Sequence, residues 1–163
     1  MQIEKIFIAS DHAGFDAKQI AKKTLNQMNF EVMDLGTNDS QKSVDYPDFA
    51  YALSKEIAKD EKNYGILICG TGIGISIAAN RNPKIRCALC HDALTAKLAR
   101  EHNDANVLAF GGRILGSAEI ESIIKIFFNT EFLGGRHARR IAKLGEIKWI
   151  SCGALQDYFQ FFS

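Results

Sequence analysis

Five apolar runs recur along the chain: KIFIAS (5–10), EVMDLG (31–36), YGILIC (64–69), KIRCALC (84–90) and ANVLAFGG (105–112). Between them lie segments with apolar residues at helical spacing: FDAKQIAKKTLNQM (15–28), PDFAYALSKEIAKDE (47–61), GIGISIAANR (72–81), DALTAKLAREHN (92–103) and SAEIESIIKIFFNTEF (117–132). Strand and helix alternating in this way implies parallel strands joined by right-handed crossovers. The unbroken apolar character of the middle strands suits a sheet covered on both faces. The expected fold is therefore α/β: a three-layer, doubly wound, parallel five-stranded sheet of Rossmann-like or flavodoxin-like type. Local signals agree with it. Pro47 opens a helix at a first-turn position that proline tolerates, and Asp92 is a suitable N-cap. The GGR stretch (134–136) reads as a hinge before a last helical pattern.

At 163 residues the chain suits one domain with a sizeable core. Its net charge of +1 supplies no broad field for nucleic acid or an anionic membrane. No run approaches the ~20 apolar residues of a membrane span. MQIEKIFIAS carries no basic leader with an apolar stretch and cleavage site. A reducing cytoplasm is thus the expected location, with Cys69, Cys87, Cys90 and Cys152 as free thiols.

Ligands of such sheets bind beyond the carboxyl ends of the strands. Those ends carry Ser10-Asp11-His12, Gly36-Thr37 with a polar loop to Tyr46, Cys69 with its glycines, Cys90-His91-Asp92, and Gly111-Gly112-Arg113. Acid, imidazole, thiol and guanidinium would collect on one rim, as in a catalytic site. The glycine stretch itself excludes three familiar anion loops. There is no Gly-Lys-Ser/Thr; the spacing is G-x-G-x-G with Ile75 where a dinucleotide loop has its third glycine; and no arginine closes the loop after the cysteine. What remains is a thiol beside an amide cradle at a helix N-terminus. The dipole there favours thiolate, and the amides could hold an oxygen that becomes negative. The competing reading is a small buried strand cysteine followed by a tight turn.

Arg136 and Arg140 are four apart and share a helix face, a pairing suited to a phosphate. A solvated basic patch is the alternative, and Arg139 belongs to it. His102 and Asn103 close a helix, where histidine is ordinarily a capping group and asparagine a left-handed C-cap. His91 either lines the rim or is solvated, and His137 reads as a surface or capping histidine. Cys87 and Cys90 point to opposite faces of a strand and have no second ligand pair, so no metal site is expected.

Taken together, the segments resemble the ribose-5-phosphate isomerase B family, within the wider group that includes galactose-6-phosphate isomerase subunits. The resemblance rests on Ser10-Asp11-His12-Ala13-Gly14-Phe15, Asp45-Tyr46-Pro47, Cys69-Gly70-Thr71-Gly72-Ile73-Gly74-Ile75-Ser76, Ala78-Ala79-Asn80, His102-Asn103-Asp104 with Asn106 to Gly111, and Gly134-Gly135-Arg136-His137. It spans roughly residues 3 to 148, in order and at the expected spacing.

The resemblance implies interconversion of D-ribose 5-phosphate and D-ribulose 5-phosphate through an enediolate, in the non-oxidative pentose phosphate pathway. The alternative is a six-carbon substrate, allose or galactose 6-phosphate. It implies Cys69 as the base at carbon 2, His102 in ring opening with Asp11 close by, and Thr71 as a proton shuttle. The backbone at Gly70, Thr71, Gly72, Ile73 and Gly74 would hold the enediolate oxygens. His12, Arg136 and Arg140 match phosphate-binding positions; Tyr46, Asn103 and Arg113 match further substrate contacts. No cofactor or metal is implied. The expected partner is a second copy, in a homodimer or a dimer of dimers, with sites built from both subunits. The isomerase domain would be 1–148. The aromatic extension 149–163, with Trp149, Tyr158, Phe159, Phe161 and Phe162, would join that domain or a subunit interface.

Overall fold

A computed structural model describes residues 3–144. The 149–163 extension and the boundary at 148 lie outside the described residues. Five strands, β1 (Lys5–Ser10), β2 (Val32–Asp34), β3 (Asn63–Cys69), β4 (Cys87–Leu89) and β5 (Val107–Gly111), form one parallel sheet in the order β2-β1-β3-β5-β4. Six α-helices accompany them among the described residues: α1 (Phe15–Gln27), α2 (Tyr46–Ile57), α3 (Ile73–Ala79), α4 (Ala93–Asn103), α5 (Ser117–Asn129) and α6 (Arg136–Ile141).

The period of two along each strand sorts the core into two halves. Ile6, Ile8, Ile66, Ile68, Leu108 and Phe110 meet α1, α4 and α5 through Leu25, Ala96, Ile120, Ile124 and Phe127. Phe7, Ala9, Leu67, Val107 and Ala109 meet α2 and α3 through Leu53, Ile57 and Ile75 on the other face. β3 lies in the middle, and all seven of its residues are buried, as its unbroken apolar run requires. The result is the expected three-layer, doubly wound, Rossmann-like arrangement.

The lateral order adds one feature. It matches the flavodoxin order through β2-β1-β3, then places β5 inside β4. The connection through α3 therefore crosses the position that β5 fills, and β4 becomes an edge. Both edge strands are only three residues long and only half-buried. The Asn80 side chain accepts from the Cys87 N–H at 2.8 Å and donates to the Cys87 carbonyl at 2.9 Å, so one amide occupies the edge of β4 as a neighbouring strand would.

α4 runs from the carboxyl rim of the sheet back to the opposite rim, where a buried polar node ends it. Arg100 is 2% exposed. Its guanidinium donates to Asp104 at 2.9 Å and to the Ala105 carbonyl at 2.6 Å, and lies 5.1 Å from the Tyr64 ring centre. Asp104 also takes Arg86 at 2.9 Å. Asp104, at φ 45°, and not Asn103, is the left-handed residue that closes α4; Asn103 is its last helical residue. The carboxylate between two arginines decides this, since it makes position 104 the anchor. Arg100→Ala strips a buried partner from this node, so the expected loss is about 3–5 kcal/mol of folding stability, read from the urea midpoint.

Candidate active site

β3 delivers Cys69 at its last residue, 4% exposed. The chain then turns through Gly72, at φ +78°, before α3 begins. That left-handed angle favours glycine, and an added Cβ would also lie 2.6 Å from the Phe110 carbonyl carbon. The turn aims the Gly72 N–H at the Cys69 Sγ, 3.1 Å away, so a donor meets any negative charge on sulfur. Two cradle amides are thus engaged within the chain: Gly72 on sulfur, and Ile73 on the Thr71 Oγ1 at 3.3 Å. The amides of Gly70, Thr71 and Gly74 are the ones on which an incoming oxygen can draw.

The neighbouring strand ends close on this loop. The Gly112 N–H donates to the Cys69 carbonyl at 2.8 Å, and the Arg113 N–H to the Gly70 carbonyl at 3.1 Å. The Arg113 side chain lies over Gly70, 3.6 Å from where a Cβ would stand. At the end of β1, buried Asp11 accepts from the Gly14 N–H at 3.0 Å. Burial pushes its carboxyl above the usual carboxylate range, against the opposing pull of the Gly14 amide, His12 and Arg113. The His12 Nδ1 accepts from the Val44 N–H at 3.2 Å, which pins the polar loop before α2. Tyr46 lies against Gly74, where a Cβ would come within 2.5 Å of its ring. Asp11, His12, Tyr46, Cys69, the glycine cradle and Arg113 therefore do share one rim.

One buried group that the sequence reading passed over, Lys18, holds this rim. Lys18, fully buried, donates to Asp34 at 2.9 Å and to the Thr37 carbonyl at 2.6 Å, tying the end of β2 beneath the loop. The Ser10 Oγ, at the end of β1, is buried and has no hydrogen-bond partner among the described residues. Burial raises Cys87 well above the usual thiol range and Cys90 up to about 11, so both remain protonated at neutral pH.

The remaining expected residues gather elsewhere. His102 and Asn103 end α4, whose 11 residues span about 16 Å away from the Cys69 rim. α6 packs beside that end. There the His137 ring stacks on His102, with centroids 4.3 Å apart and planes within 3°. Arg136 and Arg140 extend outward, both exposed, and the Arg136 Nε donates to the His137 Nε2 at 3.4 Å. His137 is therefore not a surface histidine, being 8% exposed. The R-H-x-x-R spacing was its available signal, because on a helix it places His137 on the face opposite the exposed Arg139. Two concavities of about 430 and 440 Å³ lie away from Cys69. The second is lined by Asn103, Cys87, Ile141 and Leu144. In one chain, then, the thiol rim and the His102–Arg136–Arg140 cluster are separate.

Sequence comparison follows the same outline. The model of the Ribose/Galactose Isomerase family matches residues 6–144. The Escherichia coli ribose-5-phosphate isomerase B is 40% identical over 146 residues, covering 90% of this chain and 97% of that protein. The structure of Clostridium thermocellum ribose-5-phosphate isomerase B superposes with a TM-score of 0.85 at 46% identity, covering 88% of this chain and 97% of that one. The Mycoplasma genitalium ribose-5-phosphate isomerase B, solved with bound ribulose 5-phosphate, gives 0.83 at 44% identity, covering 86% and 93%. With the match running from β1 to the last described residues, this chain belongs to the Ribose/Galactose Isomerase family of enzymes.

Proposed function

We propose that this chain interconverts D-ribose 5-phosphate and D-ribulose 5-phosphate. The observation that carries the reading is the Cys69 thiol, buried at a strand end under the Gly72 N–H and beside amides that can hold oxygen. Relatives named as ribose-5-phosphate isomerases support the substrate.

The sugar enters as a ring. An acid at the ring oxygen and a base at the anomeric hydroxyl open it, work assigned to His102 with Asp11 nearby. Cys69, as thiolate, then removes the proton from carbon 2. The electron pair forms the C1–C2 double bond, and the carbonyl electrons pass to O1. Cradle amides stabilise that oxygen. Thr71 moves a proton between O2 and O1, and return of a proton to carbon 1 leaves the ketone at carbon 2. His12, Arg136 and Arg140 hold the phosphate, with Asn103, Tyr46 and Arg113 on the sugar.

The two half-sites join across a two-fold axis, where each subunit lends its α4 and α6 ends to the other's thiol rim. A homodimer with two equivalent sites is the smallest assembly that satisfies this.

The test is an isomerase assay on a panel of five- and six-carbon aldose phosphates. Highest kcat/KM on ribose 5-phosphate is expected; highest on allose or galactose 6-phosphate moves the assignment to six carbons. Arg136→Ala and Arg140→Ala should each raise the Kd for ribose 5-phosphate roughly 10- to 100-fold, the loss of one charge-assisted hydrogen bond. Calorimetric titration reads it, and unchanged affinity in both variants removes these arginines from the phosphate site.

A further inference from the structure

Four histidines occur in the sequence, and the proposed chemistry uses only His12 and His102. We infer that His137 is a positioning residue, whose ring fixes the imidazole of His102 and the guanidinium of Arg136 relative to one another. This rests on the isomerase reading of the site.

The geometry is specific. The His102 and His137 planes are parallel within 3° at 4.3 Å, so the His102 ring cannot turn about its Cβ–Cγ bond without breaking the stack. The His137 Nε2 meanwhile accepts from the Arg136 Nε at 3.4 Å. One buried ring thus touches a ring-opening group on one helix and a phosphate-binding group on another. α6, at six residues, is too short to hold its own shape, so its placement depends on tertiary contacts such as this stack. The Leu133 N–H donating to the Glu101 carbonyl at 3.1 Å is a second tie between the same two segments.

Accepting a hydrogen bond at Nε2 requires a neutral His137 with its proton on Nδ1. The surroundings favour that state. Burial, then His102, Arg136 and Arg140, hold its pKa below the ordinary histidine value, with Glu101 opposing. A neutral ring can stack on His102 in either of its protonation states, whereas two imidazolium rings at this distance would repel. His102 can therefore take up and release its proton while its orientation stays fixed.

The experiment compares His137→Ala with His137→Phe in the full-length protein. Phenylalanine keeps a flat ring for the stack and lacks the acceptor nitrogen. Proton NMR of the His102 ring reads the stack without reference to activity. Ring-current displacement of those resonances should be present in the wild type, lost in His137→Ala and largely retained in His137→Phe. In the assay, kcat per folded site should fall about 10-fold in His137→Ala and return to within about threefold of wild type in His137→Phe, the scale of a small misplacement of a reacting group. Wild-type kcat in His137→Ala, a change in KM alone, or no recovery with phenylalanine each overturn the inference. A purely structural role would reduce the folded fraction and leave kcat per folded site alone. If the wild-type protein isomerises no sugar phosphate in the panel, the functional reading fails instead, and the NMR comparison still decides whether His137 holds His102.

Discussion

Cys69→Ala should leave a folded protein that still binds ribose 5-phosphate and turns it over about 10²–10⁴-fold more slowly, the contribution expected of a positioned general base. The residue is small, so the substitution removes one sulfur from beneath the Gly72 N–H and leaves the backbone turn in place. The groups assigned to the phosphate, His12, Arg136 and Arg140, are untouched, and affinity should therefore stay within a few-fold of wild type. The measurement pairs steady-state turnover with calorimetric binding. Turnover near wild type in the alanine variant takes the base assignment away from Cys69. Lost binding together with lost turnover means that the thiol loop shapes the pocket and the variant does not isolate the chemistry.

Mixing two dead proteins should produce a live one. Cys69→Ala lacks the proposed base and His102→Ala the proposed ring-opening group. If α4 of one subunit completes the rim of the other, a hybrid dimer carries both lesions in one site and neither in its second. Each hybrid then has about half of wild-type activity, and a statistical mixture in which half the dimers are hybrids recovers about a quarter. The direction of α4 motivates this expectation, since the helix, about 16 Å long, starts at the carboxyl rim and carries His102 toward the opposite one. Subunit exchange is verified independently with differently tagged chains. A mixture that exchanges subunits and stays inactive shows that each chain builds its own site, and the shared arrangement is wrong.

How much of this was legible in the sequence depends on which kind of information each residue carries. Strand ends were readable, because apolar runs stop where polar chemistry begins, and Asp11, Cys69 and Arg113 fall on those stops. The direction of α4 was readable too, since a crossover helix must run back against its strands. Lateral order was not: ANVLAF and KIRCAL look alike as strands, and nothing local says which lies inside. EVMDLG and KIRCALC gave longer strands than form, because at an edge the ladder is one-sided and a side-chain amide such as Asn80 can end it. Asn103 and Asp104 are both permissible left-handed caps, and only the arrival of Arg86 from another segment chooses between them. His137 was misread for a similar reason, since its partner ring lies on a helix more than thirty positions away.

The Asn80 amide on β4 bears on how the molecule can and cannot grow. An exposed ladder invites another chain to add a strand, and such additions have no natural end, because each newcomer presents a fresh edge. Here the carbonyl and N–H of Cys87 are already taken by a side chain of the same subunit, in a strand too short to offer many more. The β4 edge is thereby closed to strand addition, and sheet-to-sheet growth from that side has nowhere to start. Any pairing of copies is left to other surfaces, and it stops at two only where the same patch on each is used up by its twin.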